Sequence, residues 1–191
     1  WSAGKLELLD APLLAWHLSG GTTELLLVKP EGVTVTAEIL GGTSDISAGQ
    51  LIDRTGVLLG LQFPAGKALD VLSAQADTCH EPRVKLKDLM FSLSGMENQV
   101  KALAEKGEPP ANIARFALEA VCGVVLRATQ EAQRQYPGLP VLCSGGVASN
   151  TQLRAKLTTQ CGALFAKPEF STDNAMGTAI LTWRALAAEG R

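Results

Sequence analysis

Histidine is scarce: His17 and His80 are the only two in 191 residues. They lie far apart, so no zincin helix and no visible Ser/His/Asp arrangement supports a protease. The four cysteines, Cys79, Cys122, Cys143 and Cys161, form no CxxC or other metal spacing. That excludes a zinc ribbon and argues for reduced, buried thiols rather than a disulfide framework. Charge of one sign is also missing. Seventeen basic and nineteen acidic residues give a formal net charge of −2, so no bulk attraction to nucleic acid or membrane is implied. No apolar run is long enough to span a bilayer, and no P-loop, GxGxxG, internal repeat or low-complexity segment is visible. These absences point to a cytoplasmic protein. What is present is globular: 46% hydrophobic residues, enough chain for one buried core, and 19 glycines.

The first third reads as strands. "APLLAWHL" and "TELLLV" flank a glycine pair, and "GVTVTAEIL" alternates Val33, Val35, Ala37 and Ile39 with small or polar residues. That period of two predicts a half-buried strand and, with its neighbours, a three-stranded antiparallel meander. "LGGTSD" predicts a turn, with Ser44 or Asp45 capping a helix that runs to Gly60. A second helix is expected behind Pro64, a loop over 77–87, and a short "LMFSL" strand before a helix from Gly95 to Lys106. The prolines of "GEPPANIARF" suit the first turn of a long helix whose stripe is Ile113, Phe116, Ala117, Ala120, Val121 and Val124. The strand "VLC", a helix opening in "SGGVASN", the strand "ALFA" and a terminal helix follow. Late β-α-β-α units imply parallel pairing, hence a mixed sheet with helices against it.

Two glycine pairs raise the functional question. Gly145 and Gly146 leave a buried strand just before Ser149 or Asn150 begins a helix. Such a turn aims bare N–H groups and the positive helix end at one point, which suits an anion. Gly20 and Gly21, in "HLSGGTTELLLV", sit in a hairpin; alone, either pair is ordinary turn chemistry. Two strand-end turns of one sheet can, however, face a common cleft. A branched residue at Gly145 should then obstruct a ligand there. Asp45, Gly49 and Asp53 recur at i, i+4, i+8, one helical stripe, and Asp70 follows. Carboxylates beside glycine turns suit hydroxyl-rich ligands such as ribose.

The motifs "SGGTTEL", "TSDISAGQLIDR", "PAGKALD", "FSLSGMEN", "GGVASN" and "FSTDNAMG" occur in that order. The chain thereby resembles the tRNA threonylcarbamoyladenosine (t6A) synthesis family, long called O-sialoglycoprotein endopeptidases or glycoproteases. Its motifs read roughly SGGHTxL, TxDxxAGExFDK, PGGPxID, FSFSGLKT, GGVAAN and FxTDNAAM. The resemblance implies an actin/Hsp70-like ATPase (RNase H-like) α/β fold. It also implies binding of ATP or threonylcarbamoyl-adenylate and transfer of the threonylcarbamoyl group to a tRNA adenosine. On it, Leu18, Ser19, Gly20 and Gly21 form a phosphate-contacting hairpin. Gly145 and Gly146 supply backbone contacts, while Asp53, Gly66, Asp70 and Asn150 fall on nucleotide-holding positions. Asp173 falls on a metal-ligand position. Other t6A-synthesis proteins and tRNA are the implied partners, with no membrane.

The family's His-x-x-x-His metal pair, suited to Fe or Zn, has no counterpart here. Its second histidine falls just upstream of the segment that "WSAGKLELLD" resembles. Residues 1–191 are therefore expected to form one RNase H-like lobe, with 1–11 a remnant of an inter-lobe segment and 171–191 a terminal helix. The N-terminal metal-binding lobe was either removed or never present, and this chain should retain no metal. Thr22, Gln50, Ala65 and Glu97 replace a histidine, glutamate, glycine and lysine of the motifs. Two readings follow: the nucleotide-binding lobe of a threonylcarbamoyltransferase-like protein, or a divergent non-catalytic paralogue that acts as a binding scaffold.

Overall fold

The structure, a computed structural model, describes residues 3–78, 81–167, 170 and 175–190. After a 3₁₀ turn, Leu6–Asp10, the meander forms as β1 (Leu13–Leu18), β2 (Thr23–Glu31) and β3 (Thr34–Thr43). Next come α1 (Ala48–Leu58), α2 (Gly66–Ser73), the short β4 (Met90–Phe91), α3 (Ser94–Glu105) and the long α4 (Pro110–Gln135). The chain continues through β5 (Val141–Ser144), α5 (Thr151–Cys161), β6 (Leu164–Phe165) and α6 (Ala175–Ala188). The six strands form one sheet in the order β4-β3-β2-β1-β5-β6. β1–β2 and β2–β3 are antiparallel, and β3–β4, β1–β5 and β5–β6 are parallel. This is the mixed α/β sheet that the element order predicts.

Alternation along the central strands fixes which face is inside. Leu14, Trp16 and Leu18 of β1, Leu25 and Leu27 of β2, and Val141 and Cys143 of β5 are buried. With a period of two, these residues line one side of the sheet. α4 belongs to the same core, burying Ala114, Ala117, Ala120, Ala128 and Ala132, whose short side chains permit close approach. Trp16 carries a polar atom into that core, and its indole N–H donates to Thr129 Oγ1 at 2.8 Å, so the group is satisfied.

Three local expectations need correction. Gly41 and Gly42 do not turn the chain; they remain in β3, where Gly42 pairs with Met90 and Thr43 with Phe91. Neither Ser44 nor Asp45 caps α1. Ser47 does, accepting from Gln50 N while Gln50 Oε1 accepts from Ser47 N, a capping box. Asp45 therefore precedes the helix and does not share a stripe with Gly49 and Asp53. The start of the terminal helix expected from residue 171 lies, over 171–174, outside the described residues.

Candidate nucleotide site at the carboxyl edge of the sheet

Strand register brings the glycine turns together. His17 is paired with both Glu24 and Ser144, and Glu24 in turn with Gly42. The ends of β1, β3 and β5 are thus level, and Ser19–Thr22 and Gly145–Gly146 leave the same edge. Gly145 has φ +98°, and a Cβ there would lie 2.2 Å from Leu18 O. The close β1–β5 approach and the positive φ both require glycine.

The first hairpin is tied to α1 from behind. Ser19 N donates to Thr22 O at 2.8 Å, and Thr22 N donates to Ser19 Oγ at 3.0 Å. Ser47 Oγ donates to Gly20 O at 2.6 Å, and Ala48 N donates to Thr23 Oγ1 at 2.8 Å. Gly49 lets the helix start touch the turn, since a Cβ would lie 2.5 Å from Gly20 Cα. In the opposite sense the turn is open: a Cβ on Gly20 or Gly21 would meet nothing within 4 Å. The hairpin is a fixed backbone with a bare outer side.

The polar residues expected to hold a nucleotide are each used to start a helix. Asp53 Oδ1 accepts from Ala65 N at 2.8 Å, just before Gly66 opens α2. Asp70 accepts from Asn150 Nδ2 at 3.0 Å, Thr151 Oγ1 at 3.1 Å and Thr151 N at 3.2 Å. Asn150 Oδ1 in turn accepts from Leu153 N and caps α5. A 3₁₀ turn, Gly146–Ser149, carries the chain from β5 to that cap. Asp70 and Asn150 are therefore joined to each other and to the glycine turn of β5, while Asp53 lies on α1 beside the α2 start. Leu18 is wholly buried and serves the core; Ser19 shapes the turn.

Asp45 is a residue that the helical-stripe reading misassigned. Its carboxylate accepts from Ser92 Oγ at 2.5 Å, Ser94 Oγ at 2.6 Å, and the backbone N–H groups of Leu93, Ser94 and Ile46. Partial desolvation opposes ionisation, but the Ser92, Ser94, Leu93 and Ile46 hydrogen bonds outweigh it and hold the carboxyl far below the usual carboxylate range. Asp45 anchors the start of α3. The four motif departures are likewise occupied. Thr22 closes the hairpin, Gln50 completes the capping box, and Ala65 is buried. Glu97 forms ion pairs with Arg54 at 2.9 Å and Lys101 at 2.7 Å.

Few groups here can perform chemistry. Burial pushes the Cys122 and Cys143 thiols up to about 12 and raises that of Cys161, so these are inert packing groups. His17 is exposed on β1. No cluster of three or more His, Cys, Asp or Glu side chains among the described residues could share an ion. The described donor set does not fit an Fe or Zn site; Asp173 and His80 lie outside it. Near the glycine turns the described polar groups are the open Gly20–Gly21 backbone and the Asp70 carboxylate, with Asp53 beside the start of α2.

The family profile for TsaD, tRNA N6-adenosine threonylcarbamoyltransferase, matches residues 2–180. The chain belongs to that family. A tRNA N6-adenosine threonylcarbamoyltransferase of Streptococcus equi subsp. zooepidemicus is 36% identical over 161 residues, 80% of this chain and 47% of the relative. One from Streptococcus agalactiae serotype III is 33% identical over 220 residues, 99% of this chain and 64% of the relative. The chain thus spans 47% and 64% of the length of these two relatives. Among solved structures, full-length HypF in its phosphate- and nucleotide-bound form superposes with a TM-score of 0.68 at 14% identity, covering 86% of this chain and 38% of HypF. The Clostridium difficile activator of 2-hydroxyisocaproyl-CoA dehydratase with bound ADPNP gives 0.56 at 12% identity, covering 95% of this chain and 63% of the activator. The fold is that of the actin/Hsp70-like ATPases.

One surface escaped the sequence reading: a groove between the 84–92 segment and α4, with a volume of about 1630 Å³. Its signal was present in "PRVKLK", where cations alternate with apolar residues.

Proposed function

We propose that this chain is the nucleotide-binding lobe of a tRNA N6-adenosine threonylcarbamoyltransferase-like protein. It would hold ATP or threonylcarbamoyl-adenylate against the Gly20–Gly21 and Gly145–Gly146 turns. The observation that carries this reading is the convergence of both turns on one sheet edge, with the outer side of Gly20–Gly21 bare. Two fold neighbours, solved with nucleotide bound, support the ligand class. In this reading the glycine N–H groups take the phosphates and Asp53 and Asp70 face ribose hydroxyls, a task shared with their capping bonds. On this reading the chain binds and orients nucleotide, and the described residues supply no metal site. Other t6A-synthesis proteins and tRNA are the chain's proposed partners, in a cytoplasmic setting.

Gly20→Ala and Gly21→Ala test the site, because their added methyl groups meet no protein atom within 4 Å. Calorimetric titration with ATP should give at least about tenfold weaker binding in each variant, equivalent to about 1.4 kcal/mol, with unchanged thermal unfolding. Equal affinity in wild type and both variants would sink the assignment. The second reading, a scaffold without chemistry, draws support from Gln50 and Glu97, whose side chains are committed to the α1 capping box and to ion pairs with Arg54 and Lys101. A wild-type chain that folds but shows no heat with ATP would favour it.

A further inference from the structure

The groove beside α4 has a chemistry that the nucleotide edge lacks. Within "RVKLK", Arg83, Lys85 and Lys87 are exposed while Val84 and Leu86 are half-buried. This alternation puts Arg83, Lys85 and Lys87 on the outer side; in fully extended chain same-side groups stand about 6.6 Å apart, a repeat of the same order as successive phosphates along an RNA strand. The segment is pinned at Val84: its carbonyl accepts from Arg127 Nη1 at 2.7 Å, and its Cγ2 occupies space that Gly123 leaves free on α4. The cations therefore stand on a fixed rail rather than a free loop.

Lys85, Lys87, Arg127 and Arg134 line the groove against two acids, Asp88 and Glu131. Glu131 is ion-paired with Arg134, and Arg127 is committed to Val84, leaving Lys85 and Lys87 without an ion pair among the described residues. In a chain whose net charge is −2, this is a local concentration of positive charge. The upper rim carries Ser44 and Ser92, at the same sheet edge as the glycine turns. β4 is three strands from β1, about 14 Å at normal strand spacing.

We propose that the groove is an RNA-backbone rail: Lys85 and Lys87 hold phosphates of a tRNA strand and direct it toward the nucleotide edge. This rests on the tRNA part of the proposed function. Phosphate contacts of this kind position a strand without reading its sequence.

The test is fluorescence anisotropy of an unmodified tRNA transcript with the 191-residue chain across a salt series. Lys85→Glu/Lys87→Glu should weaken binding at least about tenfold at low salt. It should also lower the salt slope by about 1.4 to 1.8, the value for two phosphates. Lys29→Glu/Lys106→Glu, which makes the same change in net charge outside the groove, should stay within about twofold of wild type in this account. Equal losses in both double variants, or no binding by wild type, would overturn the rail. Displacement of tRNA by polyglutamate at equal charge as readily as by unlabelled tRNA would overturn it in favour of an acidic protein partner. ATP titration separates the two proposals. A rail variant that binds ATP and still binds tRNA like wild type overturns the rail alone. A wild type that binds tRNA through these lysines but ignores ATP supports the rail and removes the nucleotide site.

Discussion

Gly145 illustrates how one residue can look like a ligand contact and be needed for the fold. With φ at +98° and the Leu18 carbonyl where a Cβ would go, it admits no branched side chain. Gly145→Val should cost about 3 kcal/mol or more, from backbone strain and overpacking between β1 and β5. Urea unfolding checks it, and a variant as stable as wild type would contradict the close strand approach. The expected loss of ligand binding in that variant would therefore report unfolding, not obstruction. Gly20 and Gly21, with open space outside, are the residues at which the two effects separate. Sequence revealed both pairs as turns, but it could not reveal which one touches protein, because strand register decides that.

Among the elements, the start of α3 is the one most exposed to acid. Asp45 binds Ser92, Ser94 and the Leu93 N–H, so its carboxylate fixes where β4 ends and α3 begins. Its carboxyl is held below the ordinary value of about 3.9, so in acid the folded state binds fewer protons there than the unfolded state. Stability from this group is complete above about pH 4 and is lost as pH falls below it. Asp45→Asn should cost about 1 kcal/mol at pH 7, the scale of a lost cap reduced by the residue's exposure. At about pH 2 the gap should be smaller than at pH 7, closing fully only below the depressed folded-state value. Urea midpoints at both pH values measure this; a constant gap would show that the contact does not depend on charge. Helix positions were legible from apolar spacing, yet the caps were not. Ser44, Asp45 and Ser47 all have capping side chains, and only the tertiary contact to Gly20 and the box with Gln50 select Ser47.

On the scale of the molecule, the fold was readable because strand alternation, glycine turns and helical stripes agree with one another. The meander, the late parallel units and the α4 stripe were all legible in advance. The site was legible only as a set of residues. Asp53 proves to be part of the α2 start, and Asp70 and Asn150 parts of the α5 start, which spacing in the chain cannot express. The basic rail was missed because overall charge near balance conceals a local row of cations. The central claim is that nucleotide binds at the carboxyl edge formed by β1 and β5. Amide chemical shifts of the labelled chain, followed through an ATP titration, test it most directly. Saturable changes centred on Gly20, Gly21 and Gly146, reporting one dissociation constant, are expected. Changes confined to other elements, or none at millimolar ATP, would contradict it.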